Sequence, residues 1–388
     1  MATQTNPVAS ASIPVAQTSP SNSGNQSAPV PFRMATRERS EIDYTWLGAI
    51  TPAQQFVSWP VGGTGFLYAM MLRASAIATG NSATVAYQED APYSTWAEIS
   101  IGDAGAPFFD LSGYNAYLAT LADANYGGNW LDHSALSVLT AGATGSGGSF
   151  QSFVRVPAGL NRRTLLGVLG NQDRAQKYQL RTDVAPSTAV YSTPPTTLPT
   201  LELDRMNENY SAPPPVGPSG PNSIVPMGFS TFSFHTQMIT ETPPTPGMVN
   251  HLISRVGNTA RYFALVFRQN GSRANAEASM SGGTPAQSPA QISVRFGDTV
   301  QYTEPWWYRK ARMYEGYQQD FPNGVLLYDA LHDFAPHAGN ELGNDWWDLE
   351  NISRAQFMIT YPSAIGTTNN SLYIVTSDMA LVGKPLAA

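Results

Sequence analysis

Residues 304–329 read EPWWYRKARMYEGYQQDFPNGVLLYD, and this stretch carries signals for a helix, a turn and a strand in immediate succession. The aromatic and basic residues after Pro305 show no alternating period, and Pro305 suits the first turn of a helix. Pro322 disfavours the helical region for the residue before it, and Gly324 permits a positive φ before the apolar run VLLY. The stretch therefore predicts a short helix, a sharp stop and a strand.

A similar order of elements occurs in the first half of the chain. A strand-like run at 153–157 precedes a helix-like run at 162–169 and a second strand at 177–181. In the second half, the alternating run 292–296 takes the place of the first of these strands. Strand, helix and strand thus occur twice, which indicates an internal duplication and not an active site.

These residues resemble the major capsid proteins of tectiviruses, membrane-containing icosahedral phages whose coat subunit is two jelly rolls in tandem. The similarity is carried by the tryptophan-containing helix with its clustered arginines, followed by DFPNGV at 320–325. The run 258–271, with its apolar strand and Asn-Gly turn, looks like the family's strand and turn in the second jelly roll. In the first half, the segment 154–181 is similar in order and spacing.

The resemblance implies an all-β fold of two tandem eight-stranded jelly rolls, with short helices in inter-strand loops and an extended N-terminal arm. The residues agree, because many short strands, few helices and Gly/Pro turns are typical of β-sandwiches. The run 262–267 is apolar on both faces and predicts a central strand, while 114–124 has helical spacing. The expected division is a flexible arm at 1–40, a first jelly roll at 41–200, a Pro-rich connector at 201–225 and a second jelly roll at 226–388.

The predicted helix and turn supply the structural or subunit-contact candidates of the chain. We expect the aromatic residues to pack against the sandwich or a neighbouring subunit, and the basic residues to make subunit contacts or meet acidic partners. Phosphate binding by the arginine pairs is the alternative. The candidates are Trp306, Trp307, Arg309, Arg312, Asp320, Phe321, Pro322 and Gly324.

The composition favours a protein that covers most of its surface with neighbours. Only 13% of the 388 residues are charged, about half the usual share, while aromatic residues make up 11%. The formal charge of −7 argues against direct, sequence-specific nucleic-acid binding. A secreted β-sandwich protein is the alternative that composition leaves open. The chain has no cysteine, so neither disulfides nor thiolate metal sites are expected.

The N-terminal residues predict a segment that does not fold alone. Residues 1–32 contain no charged side chain and too few large apolar ones to offset the entropy of ordering. No signal-peptide pattern is present there, and the longest apolar run, 66–72, is too short to span a bilayer. The segment is either an assembly arm that orders against a neighbouring subunit or the internal membrane, as the resemblance implies, or a flexible tail.

No motif for catalysis or cofactor binding is present. The sequence lacks a nucleophile elbow, a phosphate loop and a zinc-protease motif. Three polar clusters lack the spacing or the partners of a site: His332 with His337, Asp345 with Asp348 and Glu350, and Asp132 with His133. A metal at the histidines and calcium at the acidic residues are the functional alternatives to ordinary surface loops. We expect no catalytic residue, no metal and no cofactor.

The resemblance implies a structural coat protein in the virion shell, made in the bacterial host cytoplasm. Its expected partners are two further copies in a pseudo-hexagonal trimer, neighbouring capsomers, and the penton and minor capsid or membrane proteins. A receptor-binding spike or lectin-like sandwich is the alternative, although no fibrous repeat is seen. A phage-encoded sandwich hydrolase is the other, and it requires a clustered carboxylate pair that we do not find.

Overall fold

The computed structural model describes residues 30–63, 65–77, 84–102, 107–123, 138–140, 148–159, 165, 167–171, 178–212, 223–224, 232–241, 247–280, 290–330, 346–361 and 370–379. Strands β1 to β14 are Val30–Pro31, Glu38–Ala49, Gln55–Pro60, Gly65–Ile77, Ala86–Tyr87, Trp96–Gly102, Pro107–Leu111, Val138–Thr140, Ser149–Pro157, Leu169–Asn171, Gln179–Val184, Tyr191–Thr193, Thr200–Tyr210 and Ser223–Ile224. Strands β15 to β23 are Phe232–Glu241, Gly247–Leu252, Thr259–Gln269, Gln291–Phe296, Thr299–Pro305, Val325–Asp329, Trp347–Asp348, Ala355–Tyr361 and Asn370–Met379. Helices α1 to α5 are Phe32–Ala35, Gly113–Asp123, Ser187–Val190, Arg273–Met280 and Trp306–Tyr317.

The first half forms a sandwich with the strand order of a jelly roll. Its eight principal strands are, in chain order, β2, β3, β4, β6, β7, β9, β11 and β13. One sheet has the order β2-β13-β4-β9, and the facing strands have the order β3-β11-β6-β7. Counted from one to eight, these orders are 1-8-3-6 and 2-7-4-5, the pairing of a jelly roll.

The second half repeats this order strand for strand. Its principal strands are β15, β16, β17, β18, β19, β20, β22 and β23. They pair as β15-β23-β17-β20 and as β16-β22-β18-β19, which are again 1-8-3-6 and 2-7-4-5. The all-β fold class and the tandem arrangement are confirmed by this repeated topology. The strands that the sequence pattern equated are not equivalent, however, because β9 is the sixth principal strand of its jelly roll and β18 is the fourth.

Period-two side-chain patterns place the core between the facing sheets. Strand β9 alternates half-buried and buried positions, with Phe150, Val154 and Val156 inside, and β18 does the same. Strand β17 differs, because its residues from Thr259 to Phe267 are all buried. It lies between β20 and β23, so the predicted central strand at 262–267 is confirmed.

The two sandwiches join through their backbones and through α2. Strand β7 of the first pairs in parallel with β15 of the second, which links strands of both halves into one nine-stranded sheet. Helix α2 is buried from Gly113 to Ala122, as expected of a helix without a polar face. The predicted helix at 114–124 is therefore confirmed, and it lies at the junction between the halves.

The predicted helix at 162–169 is wrong where the structure describes it. Leu165 has a positive φ of 56°, and Leu169 begins β10, which pairs with β4. The helix equivalent to α5 is instead α2, since each follows the fifth principal strand of its jelly roll and precedes the sixth. An apolar run of this length does not by itself separate a helix from a strand, and the pairing with β4 decides.

The predicted domain division stays a prediction, with corrections at its edges. Strand β13 continues through 201–210, within the predicted connector, because it pairs with both β2 and β4 as far as Tyr210. At the N-terminus, residues 1–29 lie outside the described part of the chain. The last residues of the predicted arm are ordered, however, since Phe32 is buried with its ring centroid 4.7 Å from that of Phe66. No described helix is long and apolar enough to cross a membrane.

A buried histidine makes the second sandwich sensitive to acid. Burial lowers the pKa of His251, in β16, from its ordinary value of 6.5 to about 4. The unfolded chain therefore binds this proton at a higher pH than the folded chain, and stability falls as pH decreases from 6.5 to 4. In urea unfolding, we expect His251→Phe to lose less free energy of unfolding than the wild type between pH 7 and pH 4.5. Equal losses in the two proteins would contradict the assignment.

Candidate functional site

The predicted helix, turn and strand are present, and local backbone geometry sets their limits. Pro305, with φ −72° and ψ 156°, ends β19 and caps α5. The helix ends at Gln318, whose left-handed φ of 53° lets its N–H donate to the Tyr314 carbonyl oxygen at 2.8 Å. Strand β20 then begins at Val325. This part of the sequence-based prediction is confirmed.

The inner face of α5 attaches the helix to the second sandwich. Trp306 is 1% exposed and meets Phe267 of β17 edge to face, with ring centroids 5.3 Å apart. Met313 is buried two turns further along. These apolar contacts fix which side of the helix faces the core.

Arg309 is held inside the chain by several groups at once. Its Nε donates to the Leu327 carbonyl oxygen at 2.7 Å, and its Nη1 donates to Glu304 at 3.3 Å. The guanidinium carbon lies 4.4 Å from the ring centroid of Tyr328. Arg312 donates to the second oxygen of the Glu304 carboxylate at 3.4 Å. The expectation that Arg309 meets an external acidic or phosphate partner is therefore wrong, because its charge is buried and paired.

Lys310 is also turned inward. Its Nζ donates to the Pro322 carbonyl oxygen at 3.0 Å and lies 3.2 Å from a carboxylate oxygen of Glu277. Burial lowers the pKa of Lys310, and the Glu277 carboxylate opposes part of that shift. The basic cluster of this helix thus ties α5 to the turn and to α4. The arginine pair at 162–163 lies outside the described residues.

The turn after α5 is close to the shape that its sequence predicts. Asp320 is exposed, whereas Phe321 is buried against Tyr317 with ring centroids 5.2 Å apart. Gly324 has a positive φ of 71°, as predicted, and its carbonyl oxygen accepts from the Phe267 N–H at 2.8 Å. Pro322 is half-buried and accepts from the Val325 N–H at 3.3 Å.

The outer face of α5 is aromatic and exposed. Trp307, Tyr308 and Tyr314 are each half or more exposed. The rings of Trp307 and Tyr308 meet edge to face, with centroids 5.5 Å apart. The sequence predicted the aromatic cluster but not which of Trp306 and Trp307 is buried, because that depends on which face of the helix packs against the sandwich.

The polar clusters considered for catalysis or metal binding gain no support. Asp132, His133, His332, His337 and Asp345 lie outside the described residues. Asp348 accepts from the Glu350 backbone N–H at 2.9 Å, a local turn contact. Among the described residues, no group of three or more His, Asp or Glu side chains has the arrangement of a metal site.

Comparison with known proteins defines the fold. No family model matches the sequence, and no curated protein matches it. Among solved structures, the chain matches the STIV MCP with a TM-score of 0.59 at 12% identity, over 91% of this chain and 99% of that one. It matches PBCV-1 VP54 with a TM-score of 0.57 at 12% identity, over 92% and 95%. It also matches the major capsid protein P2 of bacteriophage PM2, with a TM-score of 0.52 at 7% identity, over 90% and 100%.

The fold is a double jelly roll. The matched proteins are double jelly-roll major capsid proteins, so the resemblance noted in the sequence is confirmed at the level of the fold. Nearly the whole length is matched on both sides, which means that both jelly rolls and their connection are shared. At these identities the likeness concerns the fold.

The turn glycine provides a test of the local geometry. A Cβ at Gly324 would lie 2.7 Å from the Phe267 carbonyl oxygen and 2.9 Å from that of Arg273. Gly297 also has a positive φ, 58°, but a Cβ there meets nothing within 4 Å. Thermal unfolding should show Gly297→Val costing about 1–2 kcal/mol from backbone strain and Gly324→Val costing roughly 3–5 kcal/mol. Equal losses would mean that the turn is not packed.

The two adjacent tryptophans should behave differently in stability measurements. Trp306→Ala removes a buried ring and should cost about 3–5 kcal/mol in free energy of unfolding. Trp307→Ala removes a ring that is 55% exposed and should stay within about 0.5 kcal/mol in the isolated chain. Urea denaturation at a dilution where the chain is monomeric checks both. A larger loss for Trp307→Ala would reverse the orientation of α5.

Proposed function

We propose that the chain is the major coat protein of an icosahedral virus with an internal membrane, and that it has no enzymatic activity. The observation that carries the proposal is the junction of β7 with β15, which joins the fifth strand of one jelly roll to the first strand of the next. The corresponding strands at the outer edges of the chain are unpaired on one side. They are the first strand of the first jelly roll and the fifth strand of the second.

The strands that would repeat the junction are both exposed edges. Strand β2, the first of its jelly roll, is exposed along most of its length, with Leu47 and Ile42 each 66% exposed. Strand β19, the fifth of the second jelly roll, is exposed from Thr299 to Gln301. Each pairs with one neighbour in its sheet, β13 and β18 respectively. Unprotected edge strands of this length are a liability in a monomer and favour a partner.

A contact between β19 of one chain and β2 of the next is heterologous, and such contacts close into rings when the rotation permits. Three chains carry six jelly rolls, so the ring is a pseudo-hexagonal trimer that tiles an icosahedral shell. The further partners follow from the sequence resemblance: neighbouring capsomers, the penton and minor capsid or membrane proteins, and the internal membrane facing the N-terminal arm. The protein would be made in the host bacterial cytoplasm and reside in the virion.

Native mass spectrometry tests the proposal directly. We expect a species of three chains of 41.7 kDa each. Leu47→Lys and Val300→Lys each place a charged side chain at one of the two edges and should each shift the population toward monomer, because a lysine on an edge strand opposes pairing with another chain. Both side chains are exposed in the single chain, so its own fold should be unaffected.

Met248→Lys is the matched control, since Met248 is 63% exposed on β16, an edge strand outside the proposed contact. It should leave the trimer intact. A wild-type chain that remains monomeric at all concentrations would overturn the coat proposal and favour a spike or lectin-like protein.

A further inference from the structure

The exposed aromatic face of α5 has an internal counterpart that is covered. Helices α2 and α5 occupy the same place in their jelly rolls, between the fifth and sixth strands. In α2 the buried residues run without a break from Gly113 to Ala122. In α5 only Trp306, Arg309 and Met313 are buried among its twelve residues. The equivalent helix is thus buried on all sides in the first half of the chain, whereas in the second half its outer face is exposed.

Helix α2 packs on β9 and β6 of its own jelly roll, and contacts with the second jelly roll cover it further. Tyr114 lies beneath two guanidinium groups, with the Cζ of Arg273 at 4.4 Å and that of Arg268 at 5.5 Å from its ring centroid. The Tyr262 hydroxyl of β17 donates to the Ala119 carbonyl oxygen at 3.5 Å.

Two further contacts reach the C-terminal end of α2. Asp123 is ion-paired with Arg261, and Gln319 donates to the Leu121 carbonyl oxygen at 3.4 Å. One aromatic residue, Tyr114, is the second residue of its helix, as Trp307 is of α5.

The outward face of β17, which α2 helps to cover, corresponds to the outward face of β4, which is less buried. Strand β17 is the third strand of the second jelly roll, and its outward residues Tyr262, Ala264 and Val266 are at most 2% exposed. Strand β4 is the third strand of the first jelly roll. Its outward residues Met71, Arg73 and Ser75 are only half-buried, although their neighbours Leu72 and Ala74 are fully buried.

An apolar row crosses this open face. Met71 of β4 is paired in register with Met206 of β13, and Met206 is paired with Ile42 of β2. Cross-strand partners lie on the same face of a sheet, so the three side chains form a continuous row. Met71 and Met206 are half-buried, and Ile42 is 66% exposed.

We propose that in the assembled protein the outer face of α5, formed by Trp307, Tyr308 and Tyr314, packs on the row Ile42–Met206–Met71 of a second copy of the chain. The contact repeats between chains what α2 and β17 make within one chain, and it rests on the self-association proposed above. Each single chain then presents both halves of the contact, the helix at one end and the row at the other. Exposed aromatic side chains of this size are typical anchors of protein interfaces.

Mixed single-cysteine chains test the contact without ambiguity, because the natural sequence contains no cysteine. Chains carrying Tyr314→Cys are mixed with size-tagged chains carrying Ile42→Cys, allowed to exchange, and treated with a short bifunctional maleimide. We expect a covalent heterodimer on a denaturing gel. The matched control replaces Tyr314→Cys by Met248→Cys, whose side chain is 63% exposed on β16, and should give little product.

A second measurement tests whether the α5 contact stabilises the assembly or only brings the two chains close together. The double variant Trp307→Ala/Tyr308→Ala should weaken assembly by roughly tenfold or more in its dissociation constant, while urea unfolding of the diluted monomer stays near wild type. Normal assembly of the double variant, together with cross-linking of the Tyr314→Cys and Ile42→Cys pair no better than the control, would overturn the α5 contact alone. A wild-type chain that never associates would overturn this contact together with the coat proposal.

Discussion

The junction between the jelly rolls, where α2 meets side chains of β17 and α4, is the contact on which the two-part architecture depends. Strand β17 carries apolar residues on both faces, so an isolated second jelly roll would leave one face of its central strand in water. Burial of apolar surface contributes roughly 25 cal/mol per Å², and the first jelly roll provides the covering surface. Because both sandwiches belong to one chain, the contact forms at a high effective concentration and needs no second molecule.

Polar groups make this junction specific. Asp90 pairs with Arg273 at 2.9 Å, and Glu89 accepts hydrogen bonds from the Arg273 and Ala274 backbone N–H groups at the start of α4. Carboxylates are favoured at a helix N-terminus, where backbone donors are unpaired. Buried ion pairs contribute little net stability, because desolvation offsets their attraction, but a misplaced one is costly. These pairs therefore define how the two sandwiches are set against each other.

The low charge content acquires a structural meaning from these contacts. A large part of the described arginines lies in internal pairs, including Arg309 with Glu304, Arg205 with Asp43 and Arg255 with Asp378. Because these charged groups are paired inside the fold, the surface is left with mainly neutral polar and aromatic groups. Such a surface loses little on desolvation and suits contact with further copies. The two halves share one strand order, but their equivalent elements have different neighbours.

Elements with local sequence signals could be predicted from the amino-acid sequence. Pro305 and Gly324 set the ends of the helix and turn through their own backbone preferences, and the run 262–267 was long and apolar enough to identify a buried strand. The helix at 114–124 was likewise legible from its spacing. The fold class followed from these elements together with the family resemblance.

Features that depend on residues distant in the chain could be identified only in the folded protein. The end of β13 was assigned to the connector because the surrounding sequence is rich in proline. Its Arg205 and Asn207 are nevertheless buried around the Asp43 carboxylate, more than 150 positions away. The run 162–169 was predicted as helix, although Leu169 pairs with Leu67 of β4. Whether Trp306 or Trp307 faces the core was equally open until Phe267 was placed. A periodic pattern reflects only residues that are close in sequence. Burial depends on strands that are distant in sequence and pack together in the fold.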